Sequence, residues 1–530
     1  FTLIELLGVI AVLAIILLIA VPSIIAIIGS VRLQAFKKSE QFLVKGATNY
    51  LYDKSITIGS GQTIKKSLVD LSGYTADIKD VITKNNCLGY TSATSTATSV
   101  VVDPYISCDS YTTPGYSSDP NLAIMKNFGG TANDRIRLVE KISDGYLITG
   151  RDYSNDGTFD SVNHGSSDAY LIKMDNNGDI VWTKTFGGSG FDDSHGAIEV
   201  SDGYIFVIRT ASTDFDMTGF SKGGGYDAAI VKTDFNGNTI WTKSFGGTLD
   251  DEVSNIVKDN DGFAIGGTSN STNGDLTGLS KGWYDQFIAK YDSSGNLLWA
   301  KTRGGTNTDT IECGGLAYTG DGYVIMGRYY STNGDFTGLN KGQSDLSLTK
   351  YDLSGNFVWM KTYGGAGEEL GYLVEKVSDG YVMSAASDST NNIFTDLNKG
   401  LYDAVIIKTD LSGNLVWNKN FGGSDNEFPY QLTINGGEYI IAHASPSTDG
   451  DLASLSSGSG YTPFMATYDT LGNLIEKYTF GTNLVATFDG IFKDESETVL
   501  FLWSNNLDTN ETRNLMSKPG KLIFLKLINQ

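Results

Sequence analysis

The chain of 530 residues is poor in histidine, cysteine, proline and positive charge. Its three histidines, His164, His195 and His443, are scattered, and no Ser/His/Asp, CxxC or HExxH pattern is present. The net charge of −22 argues against binding to nucleic acid, which needs a basic face to displace counterions. We therefore predict neither catalysis nor a nucleic-acid partner, although a glycosidase needs only two well-placed carboxylates.

Glycine and aromatic residues are plentiful. The sequence has 63 Gly, 28 Tyr and 25 Phe against 8 Pro, which is typical of a β-rich protein with many tight turns. A chain of this length exceeds what one hydrophobic core usually serves, so we expect two or more domains. Three cysteines leave at most one internal disulfide and one free thiol.

Residues 1–28 form one apolar run in which Glu5 is the only charged side chain. As a helix this run would be ~42 Å long at a rise of about 1.5 Å per residue, more than the ~30 Å hydrocarbon layer of a membrane. A carboxylate inside a bilayer costs roughly 2.5–3.5 kcal/mol and needs a partner. The α-amine of Phe1 on a neighbouring copy would supply it and would set the register between identical helices.

The start Phe1-Thr2-Leu3-Ile4-Glu5, followed by an apolar run with Pro22, resembles the processed N-terminus of a type IV pilin. The resemblance implies an N-methylated Phe1, an assembly role for Glu5 and a helix that loosens around Pro22 in a filament. It also implies a prepilin peptidase and a pilus assembly machinery as partners. The cytoplasmic membrane would hold the chain before assembly, and a generic signal anchor is the alternative interpretation.

Beyond residue 28 the sequence becomes amphipathic, so we predict one assembly helix over residues 1–53 with a small globular head over 54–115. In the head we expect short helices near 64–71 and 75–82. Two β-type runs follow, which we expect to pair as a hairpin with Cys87 and Cys108 at its open end. A Cys87–Cys108 disulfide follows from that pairing, and two free thiols are the alternative. The pattern also resembles the head of pilins from Gram-positive bacteria.

The rest of the chain repeats itself with a period of about 58 residues. The marker Phe-Gly-Gly or a relative recurs with spacings of 58, 59, 58, 60, 58 and 59, and a Trp stands four residues before five of the seven copies. The markers begin at Phe128, Phe186, Phe245, Arg303, Tyr363, Phe421 and Phe480. One unit reads as four strands, at 197–200, 204–210, 227–233 and 239–245, so we predict a seven-bladed β-propeller over residues 116–530.

The two ends of the repeat region predict how the ring closes. The last unit ends after its third strand, whereas residues 121–128 before the first unit align with the fourth strand at 414–421. We therefore expect strand 121–128 to complete the last blade. The predicted fold is an α+β pilin domain followed by an all-β propeller.

The repeats resemble a propeller repeat that is widespread in bacterial surface proteins. That resemblance implies a fold rather than an activity. The Asp-x-x-Gly-x-x-x-Trp segments also resemble the docking motif of quinoprotein propellers, with one residue fewer between Asp and Gly. We interpret them instead as hairpin turns followed by a packing Trp.

The connections between blades and the loops between second and third strands are acidic and should share one face. Asp152, Asp156 and Asp160 are closely spaced around a glycine, which suits Ca²⁺, and we treat them as a candidate calcium site. A solvated acidic loop is the alternative, and we predict no other cofactor. Arg151, Arg209 and Arg328 stand at equivalent positions, where they would read a carboxylated or sulfated glycan or would pair with neighbouring carboxylates.

The sequence as a whole predicts a type IV pilus subunit that polymerises through its helix and displays a propeller on an extracellular filament. The propeller would serve adhesion or binding of a glycan or another cell-surface ligand. A minor pilin or pseudopilin of a secretion-type assembly would share residues 1–115. A glycan hydrolase tethered to a pilus is a further alternative.

Overall fold

The computed structural model describes Lys45 and residues 63–67, 88–95, 100–108, 111–112, 122–159, 163–311, 314–395, 397–453, 462–479, 485–493, 497–506 and 521–528. The chain divides into two compact units, Phe1–Ala123 and Ile124–Gln530. The predicted helix 1–53, with Phe1, Glu5 and Pro22, lies outside the described residues except for Lys45. Within the described part of the chain, no helix is both long and apolar enough to cross a membrane.

The first unit contains one antiparallel sheet of four strands. Its strands, in their order in the sheet, are β1 (Thr63–Ser67), β2 (Leu88–Ser95), β3 (Val100–Cys108) and β4 (Tyr111–Thr112). The predicted hairpin is present, because β2 pairs with β3 from Leu88 opposite Ser107 to Ser95 opposite Val100. The predicted helix over 64–71 is wrong: its first residues belong to β1, where pairing with β2 outweighs the local helical pattern. Cys87 lies outside the described residues, so the Cys87–Cys108 disulfide stays a prediction.

The second unit is a β-propeller of seven blades, which confirms the predicted number. Each blade is an antiparallel sheet whose strands follow one another from the first to the last. Blades 1 to 3 comprise β6 (Arg135–Ile142), β7 (Gly145–Asp152), β8 (Asp168–Asp175) and β9 (Ile180–Phe186); β10 (Asp192–Val200), β11 (Gly203–Thr210), β12 (Asp227–Thr233) and β13 (Thr239–Phe245); and β14 (Asp251–Lys258), β15 (Gly262–Ser269), β16 (Asp285–Asp292) and β17 (Leu297–Arg303).

Blade 4 differs because its first strand is broken into two pieces that both pair with β20. Blades 4 to 6 comprise β18 (Asp309–Thr310), β19 (Leu316–Tyr318), β20 (Gly322–Tyr329), β21 (Asp345–Asp352) and β22 (Phe357–Tyr363); β23 (Glu369–Val377), β24 (Gly380–Ser387), β25 (Asp403–Asp410) and β26 (Leu415–Phe421); and β27 (Gln431–Asn435), β28 (Glu438–Ser445), β29 (Thr462–Tyr468) and β30 (Leu474–Thr479).

Blade 7 is built from both ends of the repeat region. Its order is β31 (Val485–Lys493), β32 (Glu497–Asn506), β33 (Lys521–Ile528) and then β5 (Leu122–Phe128). The strand that precedes the first repeat thus occupies the outer position of the last blade. Phe128 is buried there with Leu522 and Phe524 of β33.

The hydrophobic core lies between successive blades. One cluster, for example, joins Ile230 and Phe245 of blade 2 to Val253 and Phe263 of blade 3. Because each sheet buries its faces against its two neighbours, no blade has a complete core of its own. Five 3₁₀ helices follow the second strands of blades 2 to 6, and each buries one apolar side chain. They are Phe215–Met217, Gly274–Leu276, Gly334–Phe336, Asn392–Phe394 and Gly450–Leu452.

The strand order gives the propeller two faces. The hairpin face carries the turns between first and second strands and between third and fourth strands, and the loop face carries the longer connections. On the loop face the first strand of blade 2 starts at Asp192, five residues before the predicted start at 197, because Asp192 still pairs with Thr210. The sequence prediction missed this extension because its residues, Asp192 to Gly196, are polar or small.

Candidate ligand-binding site

Each of blades 1 to 6 has a buried carboxylate at or just before the start of its first strand, and these carboxylates organise the loop face. Asp309 shows the pattern: it accepts hydrogen bonds from the backbone N of Gly305 at 2.8 Å and from Ser331 Oγ at 2.7 Å. Burial raises the pKa of Asp309 to about 6. The equivalent carboxylates are Asp134, Asp192, Asp251, Glu369 and Glu427. Much of the predicted acidity of this face is therefore structural.

A second buried carboxylate begins the third strand of blades 1 to 5. Asp285, for example, accepts the backbone N–H of Lys281, and its other oxygen faces Gly304 so closely that a side chain there would clash. In blades 1, 3, 4 and 5 the first Gly of the marker thus meets this carboxylate, whereas Gly246 of blade 2 meets Asp251. The equivalent residues are Asp168, Asp227, Asp345 and Asp403. These contacts explain the strict spacing of the repeat.

Arg151 and Arg209, two of the predicted ligand-binding arginines, lie at the loop-face end of the central channel and are paired with carboxylates. Asp193 is fully buried and accepts hydrogen bonds from Arg137 Nε at 2.8 Å and from a terminal nitrogen of Arg151 at 3.1 Å. Burial alone would raise the pKa of Asp193, but His195, Arg137 and Arg151 together hold that pKa well below its usual range. Arg209 donates to Glu252 Oε2 at 2.6 Å. Of the two alternatives, the pairing with carboxylates is therefore the one present.

Aromatic rings flank the same arginines. The guanidinium of Arg209 lies 5.3 Å from the ring centre of Phe191 and 4.8 Å from that of Tyr226. The guanidinium of Arg151 lies 5.1 Å from the ring centre of Phe191. These distances are within the range of cation–π attraction, so the rings and the guanidinium groups fix one another.

On blades 4 to 6 the same level of the channel mouth is occupied by tyrosines around one carboxylate. Glu368 accepts the hydroxyl of Tyr330 at 3.2 Å and the hydroxyl of Tyr402 at 2.6 Å. The ring of Tyr330 lies 5.2 Å from the guanidinium of Arg328, and Tyr402 contacts Phe428 with ring centres 5.7 Å apart. A single half-buried carboxylate therefore orients two aromatic rings.

We name this assembly the mouth belt. It consists of a first arc on blades 1 to 3 and a second arc on blades 4 to 6. The first arc is Arg151, Phe191, Asp193, Arg209, Tyr226 and Glu252, and the second is Arg328, Tyr330, Glu368, Tyr402 and Phe428. Its aromatic rings are half-buried and present apolar surface beside fixed hydrogen-bonding groups, which is the usual composition of a small-molecule site.

Sequence reasoning found the arginines of the mouth belt and missed its aromatic residues. A signal was present, since Tyr226, Tyr284 and Tyr402 each directly precede the aspartate that begins a third strand. Tyr284 belongs to the same level, where its hydroxyl donates to Asp250 Oδ2 at 2.7 Å. The recurring Tyr-Asp pair would have predicted a ring of tyrosines around the channel.

Of the candidate calcium residues, Asp152 is the last residue of β7 and Asp156 lies in the loop that follows. Asp152 is buried, and its Oδ1 accepts the backbone N–H of Ser154 at 3.2 Å, while Asp156 Oδ1 accepts that of Thr131 at 2.7 Å. Burial raises the pKa of Asp152 to about 7, and nearby Asp134 and Asp168 add to the effect. Asp160 lies outside the described residues. Among those that are described, no three His, Cys, Asp or Glu side chains are grouped to hold a metal ion, and the calcium site stays a prediction.

The Asp-x-x-Gly-x-x-x-Trp segments are hairpin turns. Asp292 Oδ1 accepts the backbone N–H groups of Ser294 and Asn296, and Gly295 takes a positive φ of 79° that favours glycine. The indole of Trp299 then donates to the carbonyl oxygen of Leu353 in the next blade at 3.1 Å. In this blade the motif thus turns the chain and links neighbouring blades.

No protein-family model matches the chain. The regulatory protein FlaEY of Caulobacter vibrioides is 26% identical over 272 residues, which cover 48% of this chain and 27% of that protein. The chain thus spans about a quarter of the length of this relative.

Three solved structures match the chain at low similarity. A subtype N11 neuraminidase-like protein of a bat influenza A virus matches with 14% identity and a TM-score of 0.36, over 78% of this chain and 93% of that chain. The tricorn protease matches with 9% identity and a TM-score of 0.37, over 88% of this chain and 43% of that chain. The phage phi92 endosialidase matches with 9% identity and a TM-score of 0.37, over 77% of this chain and 69% of that chain.

Proposed function

We propose that the chain is a subunit of a type IV pilus and that its propeller binds an extracellular ligand at the mouth belt. The pilus role is supported by the resemblance of residues 1–22 to a processed type IV pilin. Glu5 would pair with the α-amine of a neighbouring copy, and the filament would carry the propeller outside the cell. The binding role is supported by the geometry of the belt.

The observation that carries the binding role is Glu368 between the hydroxyls of Tyr330 and Tyr402. Two tyrosine rings held in place by a carboxylate offer apolar faces against which a pyranose ring packs. Glu252, which is half-buried, is a further acceptor for sugar hydroxyls. A glycan is thus the ligand class that the belt fits best.

The charges of the belt favour a neutral glycan over the carboxylated or sulfated glycan that the arginines alone suggested. Arg151 is paired with Asp193 and Arg209 with Glu252, so these guanidinium groups are already neutralised. An acidic glycan would have to compete with both carboxylates and would be repelled by Glu368.

A glycan array probed with purified filaments tests this proposal. Wild-type filaments are expected to bind neutral glycans, and the double variant Tyr330→Ala/Tyr402→Ala is expected to lose that binding. Phe235→Ala, which removes an exposed ring on the hairpin face, is the matched control and should bind like the wild type. Binding confined to sulfated or carboxylated glycans would contradict the neutral-ligand assignment. Filaments that bind no glycan would contradict the binding role itself.

The pilus role has its own test, which is independent of ligand binding. Glu5→Ala is expected to abolish filaments while the propeller folds unchanged, because the side chain is proposed to act in assembly alone. Normal filament yield from the Glu5→Ala variant would contradict the assembly role.

A further inference from the structure

The hairpin-face end of the central channel is a cavity of about 760 Å³ lined by the first strands of all seven blades. Strand register defines its levels. Each blade contributes one residue of its first strand to the outermost level. In blade 1 this residue pairs with Tyr146 of β7, and in the other blades it pairs with the residue at the same position of the second strand. Four successive levels are separated by three intervals of ~3.3 Å, which gives the channel a depth of roughly 10 Å.

Three exposed lysines surround the channel at this outermost level: Lys141 of blade 1, Lys258 of blade 3 and Lys376 of blade 5. Within the described structure none of them forms an ion pair. Many other lysines of the propeller are paired, as Lys173 is with Asp144 at 2.9 Å. The one carboxylate at the same level, Glu199, accepts hydrogen bonds from the backbone N and the hydroxyl of Ser143. The outermost level thus carries three unpaired lysines against one carboxylate, in a chain of net charge −22.

The next level inward is mostly apolar. It consists of Glu140 and Glu375, on blades 1 and 5, together with Ile198, Val257, Ala317, Thr433 and Phe492. The level beyond it has no polar side chain: its residues include Ile256, Leu316, Val374 and Leu432. Water reaches the two carboxyl groups within the channel, but protein surrounds them. Burial raises the pKa of each to about 7, and the proximity of Glu375 adds to the effect on Glu140.

We propose that this channel binds a single-chain aliphatic anion, with its head group at Lys141, Lys258 and Lys376 and its tail along the apolar levels within. A closed ring of seven blades admits one extended chain rather than a patch of bilayer. The three ammonium groups complement one anionic head group from several directions. This site lies at the opposite end of the channel from the mouth belt and does not depend on the proposed glycan binding.

Glu140 and Glu375 make the binding depend on pH. Below about pH 7 the two carboxyl groups are largely neutral and an alkyl tail can lie beside them. Above about pH 7 they ionise and repel the anionic head group. The charged groups that face them are Lys141 and Lys376 on their own strands, Glu199 on β10, Lys258 on β14 and Lys493 on β31. The strands that flank Glu375, β19 and β27, contribute Tyr318 and Thr433 at these levels.

Photolabelling of the purified full-length chain with a dodecanoate that carries a terminal diazirine tests the proposal. We expect label on peptides from the first strands of the blades and a loss of about tenfold or more in the triple variant Lys141→Gln/Lys258→Gln/Lys376→Gln. Lys243→Gln, an exposed lysine on an outer strand, is the matched control and should label like the wild type. Melting curves of every variant check that the propeller is folded.

Two further arms separate a specific site from partition of an alkyl chain into an apolar channel. Wild-type labelling should fall between about pH 6 and about pH 8.5, whereas Glu140→Gln/Glu375→Gln should remain labelled at the higher pH. A diazirine-bearing dodecyltrimethylammonium probe should label the channel weakly. Equal labelling by both probes, or labelling unchanged in the folded triple lysine variant, would overturn the proposal.

Discussion

Asp193 shows how one residue sets the electrostatics of the mouth belt. It is fully buried, and Arg137, Arg151 and Arg209 converge on its Oδ2 at 2.8, 3.1 and 4.0 Å. Without the carboxylate between them, the positive charges of these arginines would repel one another. The buried carboxylate therefore stabilises the fold. The arginines that suggested an anion site in the sequence therefore hold the mouth together.

Asp193→Asn is expected to lower the free energy of unfolding by about 3 kcal/mol, because it removes the shared partner of several cations. Chemical denaturation measures the change. The low pKa of Asp193 also determines how the stability of the fold changes with pH. Its stabilisation should be present above about pH 4 and should fall as the pH drops further, since the unfolded state then binds the proton more readily.

Asp425 is an exposed carboxylate on the same face, and Asp425→Asn is the control. Its free energy of unfolding should stay within about 0.5 kcal/mol of that of the wild type. Equal stability of Asp193→Asn and Asp425→Asn would contradict a structural role for Asp193.

Asp152→Asn is expected to behave in the opposite way. Since burial raises the pKa of Asp152 to about 7, the folded state binds the proton more tightly than the unfolded state. The cost of burying this carboxyl is therefore absent below about pH 4, grows as the pH rises because only the unfolded state ionises, and is complete above about pH 7. The melting temperature of Asp152→Asn should lie close to that of the wild type at about pH 4 and exceed it by an increasing margin up to about pH 8.

The same variant tests the candidate calcium site. Added Ca²⁺ that raised the melting temperature of the wild type but not of Asp152→Asn would support a metal at this loop. A variant less stable than the wild type at every pH, without any effect of Ca²⁺, would contradict the raised pKa.

At the scale of elements, the propeller depends on links between neighbouring blades. The indole N–H groups of Trp182, Trp299 and Trp417 donate to carbonyl oxygens of the next blade at 3.0 to 3.1 Å. The five tryptophans were predicted as packing residues, and the structure shows that three of them also carry a specific hydrogen bond. The spacing of the motif revealed the turn but not the acceptor, which lies more than 50 residues away in the chain.

Trp299→Phe is expected to cost about 1 kcal/mol more than Trp241→Phe in the free energy of unfolding. Both substitutions remove the same volume, but within the described residues the indole N–H of Trp241 makes no link of this kind, so their difference isolates the hydrogen bond. Denaturation curves of the two variants measure it. Equal losses would show that packing alone explains both tryptophans.

The strand β5 closes the ring from the far end of the sequence. Phe128→Ala is expected to lower the free energy of unfolding by about 3–5 kcal/mol, because Phe128 is 3% exposed in a core that spans blades 7 and 1. Phe235→Ala, at 43% exposure, should change it by about 0.5 kcal/mol or less. A Phe128 variant as stable as the Phe235 variant would show that the ring does not need this strand.

At the scale of the whole molecule, periodicity carried most of the information. The Phe-Gly-Gly spacing predicted seven blades because the first Gly has to pack against a buried carboxylate in successive blades, as Gly304 does against Asp285. The mouth belt was only partly predictable, since Tyr330 and Tyr402 meet at Glu368 through the curvature of the ring rather than through any local pattern. The three channel lysines were missed for the same reason.

We propose that this chain is a pilus subunit that displays its propeller on a filament. Electron cryo-microscopy of filaments sheared from the source cells, with helical averaging and mass spectrometry of the same preparation, tests it most directly. We expect peptides of the repeat region in the filament fraction. We also expect seven-bladed density attached to a core of N-terminal helices. Filaments that lack this chain altogether would contradict it and would leave a propeller without a pilus.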